Sequence, residues 1–269
     1  MKIYQKNIKI FMKLWSRMNE KKNKINTSII LVGGVGSRFS KIDEYPKQLA
    51  EINKEIIIIK IIKQLSKFGI NYFIFPLGYK RKFFTDFFNS KKNIKKYNFN
   101  IVNNFYEIKE NKININCFNA GNETSKLNRI LKSFDKIKTN DFLTTYGDGL
   151  ADVNLHKLFS QYFKDKTKKI YLTSCRKRSQ YGHLKINSRN FIKTFDEKPI
   201  LRDPVNMGYY VFNKSIFNKY YNSKFELESS FLPKLIKKNI LKSYLHNGYF
   251  FSIDDKKDVI KAKKFFKLI

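Results

Sequence analysis

The chain has 269 residues, with 55 Lys or Arg against 22 Asp or Glu and a formal net charge of +33. That length suits one large α/β domain or two small ones, and 42% hydrophobic with 16% aromatic residues is enough to bury a substantial core. The composition excludes an intrinsically disordered, collagen-like or coiled-coil chain.

Residues 1–27 are rich in Lys and Asn with scattered apolar positions (Ile3, Ile8, Ile10, Phe11, Leu14, Trp15) and read as a basic N-terminal extension. Three readings stand for it: an amphipathic surface helix touching a membrane surface or a partner, a frayed disordered tail, or an upstream start with Met18 as the true one. From Ser28 onward, residues 28–269 read as a single domain in which short β-type runs alternate with helical ones. Strands are expected at Ser28–Val32, Tyr72–Pro76, Asn98–Val102, Ile113–Phe118, Phe142–Tyr146, Lys169–Ser174, His183–Ile186 and Met207–Phe212. Apolar residues at i, i+3 and i+4 predict helices at Ile57–Phe68, Arg81–Phe88, Lys126–Phe134, Leu155–Phe163, Leu227–Lys238 and Lys256–Phe265. Strands separated by helices imply βαβ units and a largely parallel sheet, whose ligands sit at the carboxyl ends of the strands.

The lysines run from Lys2 to Lys267 without clustering, which fits an AT-rich coding bias better than a nucleic-acid footprint, so no specific nucleic acid is expected. Cys117 and Cys175 are distant from each other and show no metal-ligand spacing, which indicates neither a zinc site nor a disulfide framework and fits a reducing cytoplasm. The most apolar run, Ile56–Ile62, is broken by Lys60 and falls far short of the ~20 residues a membrane span requires. No signal-peptide pattern appears. A cytoplasmic location is expected.

The segment Ser-Ile-Ile-Leu-Val-Gly-Gly-Val-Gly-Ser-Arg-Phe sets Gly33, Gly34 and Gly36 directly after a buried strand. Glycines there let the backbone approach phosphate oxygens and aim several N–H groups at them, so the loop reads as an anion cradle. It is neither a P-loop nor a dinucleotide fingerprint. Arg38 and Lys47 add two cations able to clamp a triphosphate, with Pro46 fixing the turn that presents Lys47. Asp148 closes the strand Phe-Leu-Thr-Thr-Tyr between two glycines, so its carboxylate emerges at the sheet edge with little cover. A hard Mg²⁺ takes such an oxygen, together with phosphates and waters. Asp152 reads as the N-cap of the helix that follows. His156, His183 and His246 read as structural.

These motifs resemble a known family. Gly-Gly-Val-Gly-Ser-Arg-Phe followed by Tyr-Pro-Lys-Gln-Leu is similar to the GGxGTRL…PKPL signature of sugar-1-phosphate nucleotidylyltransferases, and the likeness extends over nearly the whole chain after residue 27. Thr145-Tyr146-Gly147-Asp148-Gly149-Leu150-Ala151-Asp152-Val153 is close to the TYGDGVADV of glucose-1-phosphate cytidylyltransferases, the relatives this chain is most like. Gly78-Tyr79-Lys80, Glu197-Lys198-Pro199 and Asn206-Met207-Gly208 match further landmarks.

The resemblance implies a Rossmann-like three-layer α/β fold with a mixed, mostly parallel central sheet, and a Mg²⁺-dependent transferase that joins an NTP to a hexose 1-phosphate. CTP with glucose 1-phosphate is the first choice, for surface polysaccharide (lipopolysaccharide) or deoxysugar synthesis. By the same resemblance Arg38 and Lys47 are catalytic, while Gly33, Gly34, Gly36, Ser37, Gly78 and Tyr79 bind the nucleotide. Glu197, Lys198, Asn206 and Gly208 take the sugar phosphate, and Asp148 with Asp254 holds the metal, Asp255 being the adjacent rival. A homo-oligomer is expected.

The chain departs from the family pattern in places. Met207 replaces a glycine, and the segment Glu123–Arg129 lacks both glycines of the cytidylyltransferase turn and is shorter. The C-terminal third looks more like heptose- or mannose-1-phosphate guanylyltransferases, which supply the alternative reading. A basic nucleic-acid or membrane-surface binding protein on the same fold is a second alternative, and a degenerate regulatory relative a third.

Overall fold

A computed structural model describes residues 25–34, 45–102, 105–108, 113–165, 167 and 169–268. In chain order the strands are β1 (Thr27–Leu31), β2 (Glu51–Ile52), β3 (Glu55–Ile56), β4 (Tyr72–Leu77), β5 (Phe99–Val102), β6 (Phe105–Ile108), β7 (Ile113–Asn119) and β8 (Asp141–Tyr146). They continue with β9 (Gly149–Ala151), β10 (Ile170–Cys175), β11 (His183–Ile186), β12 (Ile192–Asp196), β13 (Val205–Asn213), β14 (Leu241–His246) and β15 (Phe250–Ser252). The α-helices are α1 (Ile57–Ser66), α2 (Arg81–Asn89), α3 (Lys91–Tyr97), α4 (Lys126–Leu131), α5 (Leu155–Lys164), α6 (Lys214–Tyr220), α7 (Leu232–Lys237) and α8 (Lys256–Leu268).

Nine strands form the main sheet in the order β14-β10-β13-β8-β1-β4-β7-β6-β5. β8, β1, β4 and β7 are parallel neighbours, and β10 runs parallel to β14. β13 and β6 run against their neighbours, which makes the sheet mixed but mostly of one direction. Side chains alternate across each strand. Ile30 of β1, Leu143 of β8 and Tyr209 and Val211 of β13 face a core shared with α1, α2 and α5. Ile29 and Leu31, Phe142, and Tyr210 and Phe212 face a second core shared with α4, α6 and α7. Two cores on one sheet give the three layers.

α1 forms because Ile57, Ile58, Ile61, Ile62 and Leu65 make one buried stripe at helical spacing. α5 is capped by Asn154, whose side-chain oxygen accepts from the Lys157 N–H at 3.0 Å. Asp152 is therefore not the cap, contrary to the expectation from sequence; it lies two residues before Asn154, and its Oδ1 is 3.0 Å from Nε2 of the buried His246. The expected helix over 227–238 begins as a π-turn at Leu227–Phe231 and becomes α-helical at Leu232. The elements without a sequence expectation are short or lie at the rim: β2, β3, β6, β9, β12, β14, β15, α3 and α6. Residues 1–24 of the N-terminal extension lie outside the described residues. No helix among the described residues is long and apolar enough to cross a membrane.

Candidate active site

The parallel block places the ends of β1, β4, β7 and β8 side by side, so the segments that follow them meet at one edge of the sheet. A cavity of about 560 Å³ opens there, and Gly33, Gly34, Lys47, Lys126, Asp148 and Asp254 are in its wall. Gly36, Ser37 and Arg38 lie outside the described residues.

Pro46 and a single 3₁₀ turn, Lys47–Leu49, present Lys47. Gln48 and Leu49 are buried and anchor the turn, while the Lys47 ammonium stands 2.7 Å from Oδ2 of Asp148 and 3.3 Å from Oδ1 of Asp254. Burial alone would push the Lys47 pKa down; the two carboxylates outweigh it and hold the value above that of an ordinary lysine.

Asp254 reaches this point through a strand pairing. β15 runs antiparallel to β9 with Ser252 opposite Gly149, and the Ile253 N–H donates to the Asp148 carbonyl at 3.0 Å. The hydroxyl of Ser252 donates to Oδ2 of Asp254 at 2.9 Å. Asp255 has a different task. Its Oδ1 accepts from the Asp258 N–H at 2.9 Å, and its own N–H donates back to Asp258, a reciprocal cap at the start of α8.

Tyr146 and Lys126 of the cavity wall belong to a polar chain, of which sequence reading assigned Asn206 and Gly208 a role but not Tyr146, Tyr210, Glu228 or Lys126. Asn206 accepts from the Gly208 N–H at 2.9 Å and donates to the Tyr210 hydroxyl at 2.6 Å. Tyr210 meets the Tyr146 hydroxyl at 3.3 Å, and that hydroxyl donates to Glu228. Lys126 bonds Glu228 at 2.7 Å, and its ammonium lies over the Tyr146 ring, 5.1 Å from the centroid. Burial, then the neighbouring Tyr210 and Glu228, pushes the Tyr146 pKa far up, so this phenol stays neutral. Asn206 and Gly208 thus stand behind the Tyr146 wall.

Glu197 and Lys198 follow the exposed β11–β12 hairpin. Their side chains are 58% and 59% exposed and bond each other at 3.1 Å, away from the residues that line the cavity. Tyr79 is exposed at the start of α2, and Gly78 lies behind the side chain of Arg129. Arg129 is the other residue that sequence reading left without a role. An arginine on the same short helix as the buried Leu127 and Ile130 was the available signal.

A sequence profile described as Nucleotidyl transferase matches residues 27–267. The chain belongs to the nucleotidyl transferase family. A probable glucose-1-phosphate cytidylyltransferase of Bacillus subtilis (strain 168) is 32% identical over 259 residues, covering 88% of this chain and 94% of that relative. A D-glycero-alpha-D-manno-heptose 1-phosphate guanylyltransferase of Aneurinibacillus thermoaerophilus is 28% identical over 241 residues, covering 88% and 96%. Among solved structures, HddC from Yersinia pseudotuberculosis complexed with GMP-PN superposes with a TM-score of 0.64 at 22% identity, over 90% of this chain and all of that one. The shared fold is that of nucleotidyl transferases, and the segments meeting at the edge of the sheet are the ones this chain uses to build its cavity.

Proposed function

We propose that this nucleotidyl transferase joins an NTP to a hexose 1-phosphate, releasing pyrophosphate and an NDP-sugar, with CTP and glucose 1-phosphate the first choice. The observation that carries the reading is Lys47 between Asp148 and Asp254, beside the glycine loop and within one cavity. In this reaction a phosphate oxygen of the sugar 1-phosphate attacks the α-phosphorus in line and pyrophosphate leaves, so the protein's task is positioning and charge stabilisation. Gly33 and Gly34 bring backbone close to the triphosphate, and Lys47 with Arg38 meets the charge that shifts to the departing pyrophosphate.

Asp148 and Asp254 are the residues that would hold Mg²⁺. The fit rests on their chemistry: two carboxylates already converge on one cationic group, and Mg²⁺ is bound by one or two carboxylates plus substrate phosphates. When bound, the ion neutralises phosphate charge and orients the phosphates.

Glu197, Lys198, Asn206 and Gly208 are assigned to the sugar phosphate by resemblance, and Asn206 with Gly208 also braces the Tyr146 side of the cavity. A homo-oligomer belongs to the same proposal. Leu184, Ile186, Ile192 and Phe195 of the β11–β12 hairpin are all exposed, an apolar surface that supports self-association, and light scattering on the purified chain tests it.

Guanylyl transfer to a heptose or mannose 1-phosphate is the second reading, supported by the guanylyltransferase relative that matches as much of the chain. Pyrophosphate release over a matrix of four NTPs and a panel of sugar 1-phosphates decides between the two. Absence of turnover with every pair would overturn both.

A further inference from the structure

Arg129 sits on α4 between Leu127 and Ile130, and only 4% of it is exposed. A guanidinium carries five N–H donors in a planar fork and stays protonated. Nη1 donates to the carbonyls of Pro76 and Leu77, both at 3.1 Å. Nη2 donates to those of Gly33 at 3.1 Å, Gly121 at 2.8 Å and Asn122 at 3.2 Å. These five acceptors belong to the ends of β1, β4 and β7, three adjacent parallel strands. All are neutral, and among the described residues no carboxylate reaches the guanidinium within ion-pair distance. A buried cation without a counter-charge is costly to desolvate, and a neutral side chain would serve packing better.

Two glycines are shaped around it. A Cβ on Gly33 would lie 2.2 Å from Nη1 of Arg129, and one on Gly78 would lie 2.4 Å from Nη2. Neither glycine has a positive φ; the guanidinium excludes a side chain at Gly33, while at Gly78 the guanidinium and the Gly33 carbonyl, 2.7 Å from such a Cβ, exclude it together. Across a trans peptide the C=O and the following N–H point in opposite directions. Holding the carbonyls of Gly33, Gly121 and Asn122 therefore turns the N–H groups of Gly34, Asn122 and Glu123 away from the guanidinium, and these three residues line the cavity.

We propose that Arg129 is the positioning residue of the triphosphate subsite: it locks three strand ends so that the amides of Gly34, Asn122 and Glu123 are preset for an anion, and its charge supplies positive potential beneath them. The inference rests on the nucleotidyl-transfer reading. Oriented amides form anion-binding concavities, and such groups act best when no reorganisation is needed.

The test uses the full chain as Arg129→Lys and Arg129→Gln. Arg129→Lys keeps a charge but loses the fork; Arg129→Gln keeps two N–H donors and loses the charge. KM for the NTP and for the sugar 1-phosphate are measured from pyrophosphate release, and binding of inorganic tripolyphosphate by calorimetry. Both variants should raise KM for the NTP and Kd for tripolyphosphate by about tenfold or more, while KM for the sugar 1-phosphate changes less than about twofold. If Arg129→Lys fails to fold, Arg129→Gln decides. Folded variants with wild-type KM for the NTP and wild-type Kd, even with a lower Tm, would overturn the proposal and leave Arg129 a structural strut. A wild-type chain that turns over no substrate pair would instead overturn the transfer reading; tripolyphosphate binding lost in the variants would then still uphold the role of Arg129.

Discussion

The ammonium of Lys47 and a carboxylate oxygen of Asp148 form an ion pair of 2.7 Å, with side chains only 14% and 20% exposed. A pair this sheltered is weakly screened by solvent, and Lys47 shares its ammonium with Asp254, so both carboxylates hold the Lys47 charge in place. Disturbing one member should therefore change the chemistry of the cavity before it changes the fold.

Asp148→Asn is expected to lower the rate of pyrophosphate release by about 10²–10³-fold, the magnitude associated with one preorganised electrostatic group. Asparagine keeps the shape, and Lys47 retains Asp254, so the urea midpoint should move little. A folded Asp148→Asn protein with near-normal turnover would remove Asp148 from the site.

Asp254 and Asp255 should separate cleanly. Asp254→Asn should lose turnover with little loss of stability, because its carboxylate faces Lys47. Asp255→Ala should keep turnover and lose about 1 kcal/mol in chemical denaturation, the usual cost of an N-cap. The reverse pattern would exchange their roles.

Gly208 has φ +78°, and a Cβ there would lie 2.2 Å from the Tyr146 ring. Gly208→Ala combines left-handed backbone strain with overpacking, and should cost about 2 kcal/mol or more. A urea titration with an unshifted midpoint would show that the Tyr146 ring has room to move.

Lys198→Ala should raise KM for the sugar 1-phosphate well beyond any change in KM for the NTP, and leave stability within about 0.5 kcal/mol because the side chain is exposed. Selective weakening of NTP binding would reverse the assignment of Glu197 and Lys198 to the sugar side.

Sequence by itself determined the alternation of strands and helices, the glycine turn at Gly33 and Gly34, the proline-set turn at Lys47 and the glycine-flanked Asp148. Each is a local pattern: a buried strand read from its apolar run, then residues whose backbone freedom or charge fits the strand's end. Tertiary structure alone decided which of two adjacent aspartates joins Asp148. The register of Ser252 opposite Gly149 carries Asp254 to Lys47, while Asp255 is consumed by the start of α8. It also decided that Arg129 serves the ends of three strands rather than solvent, and that Tyr146 is walled in by Glu228 and Tyr210. These contacts join residues distant in sequence, and no local periodicity encodes which strand end a long side chain will meet once the sheet is assembled.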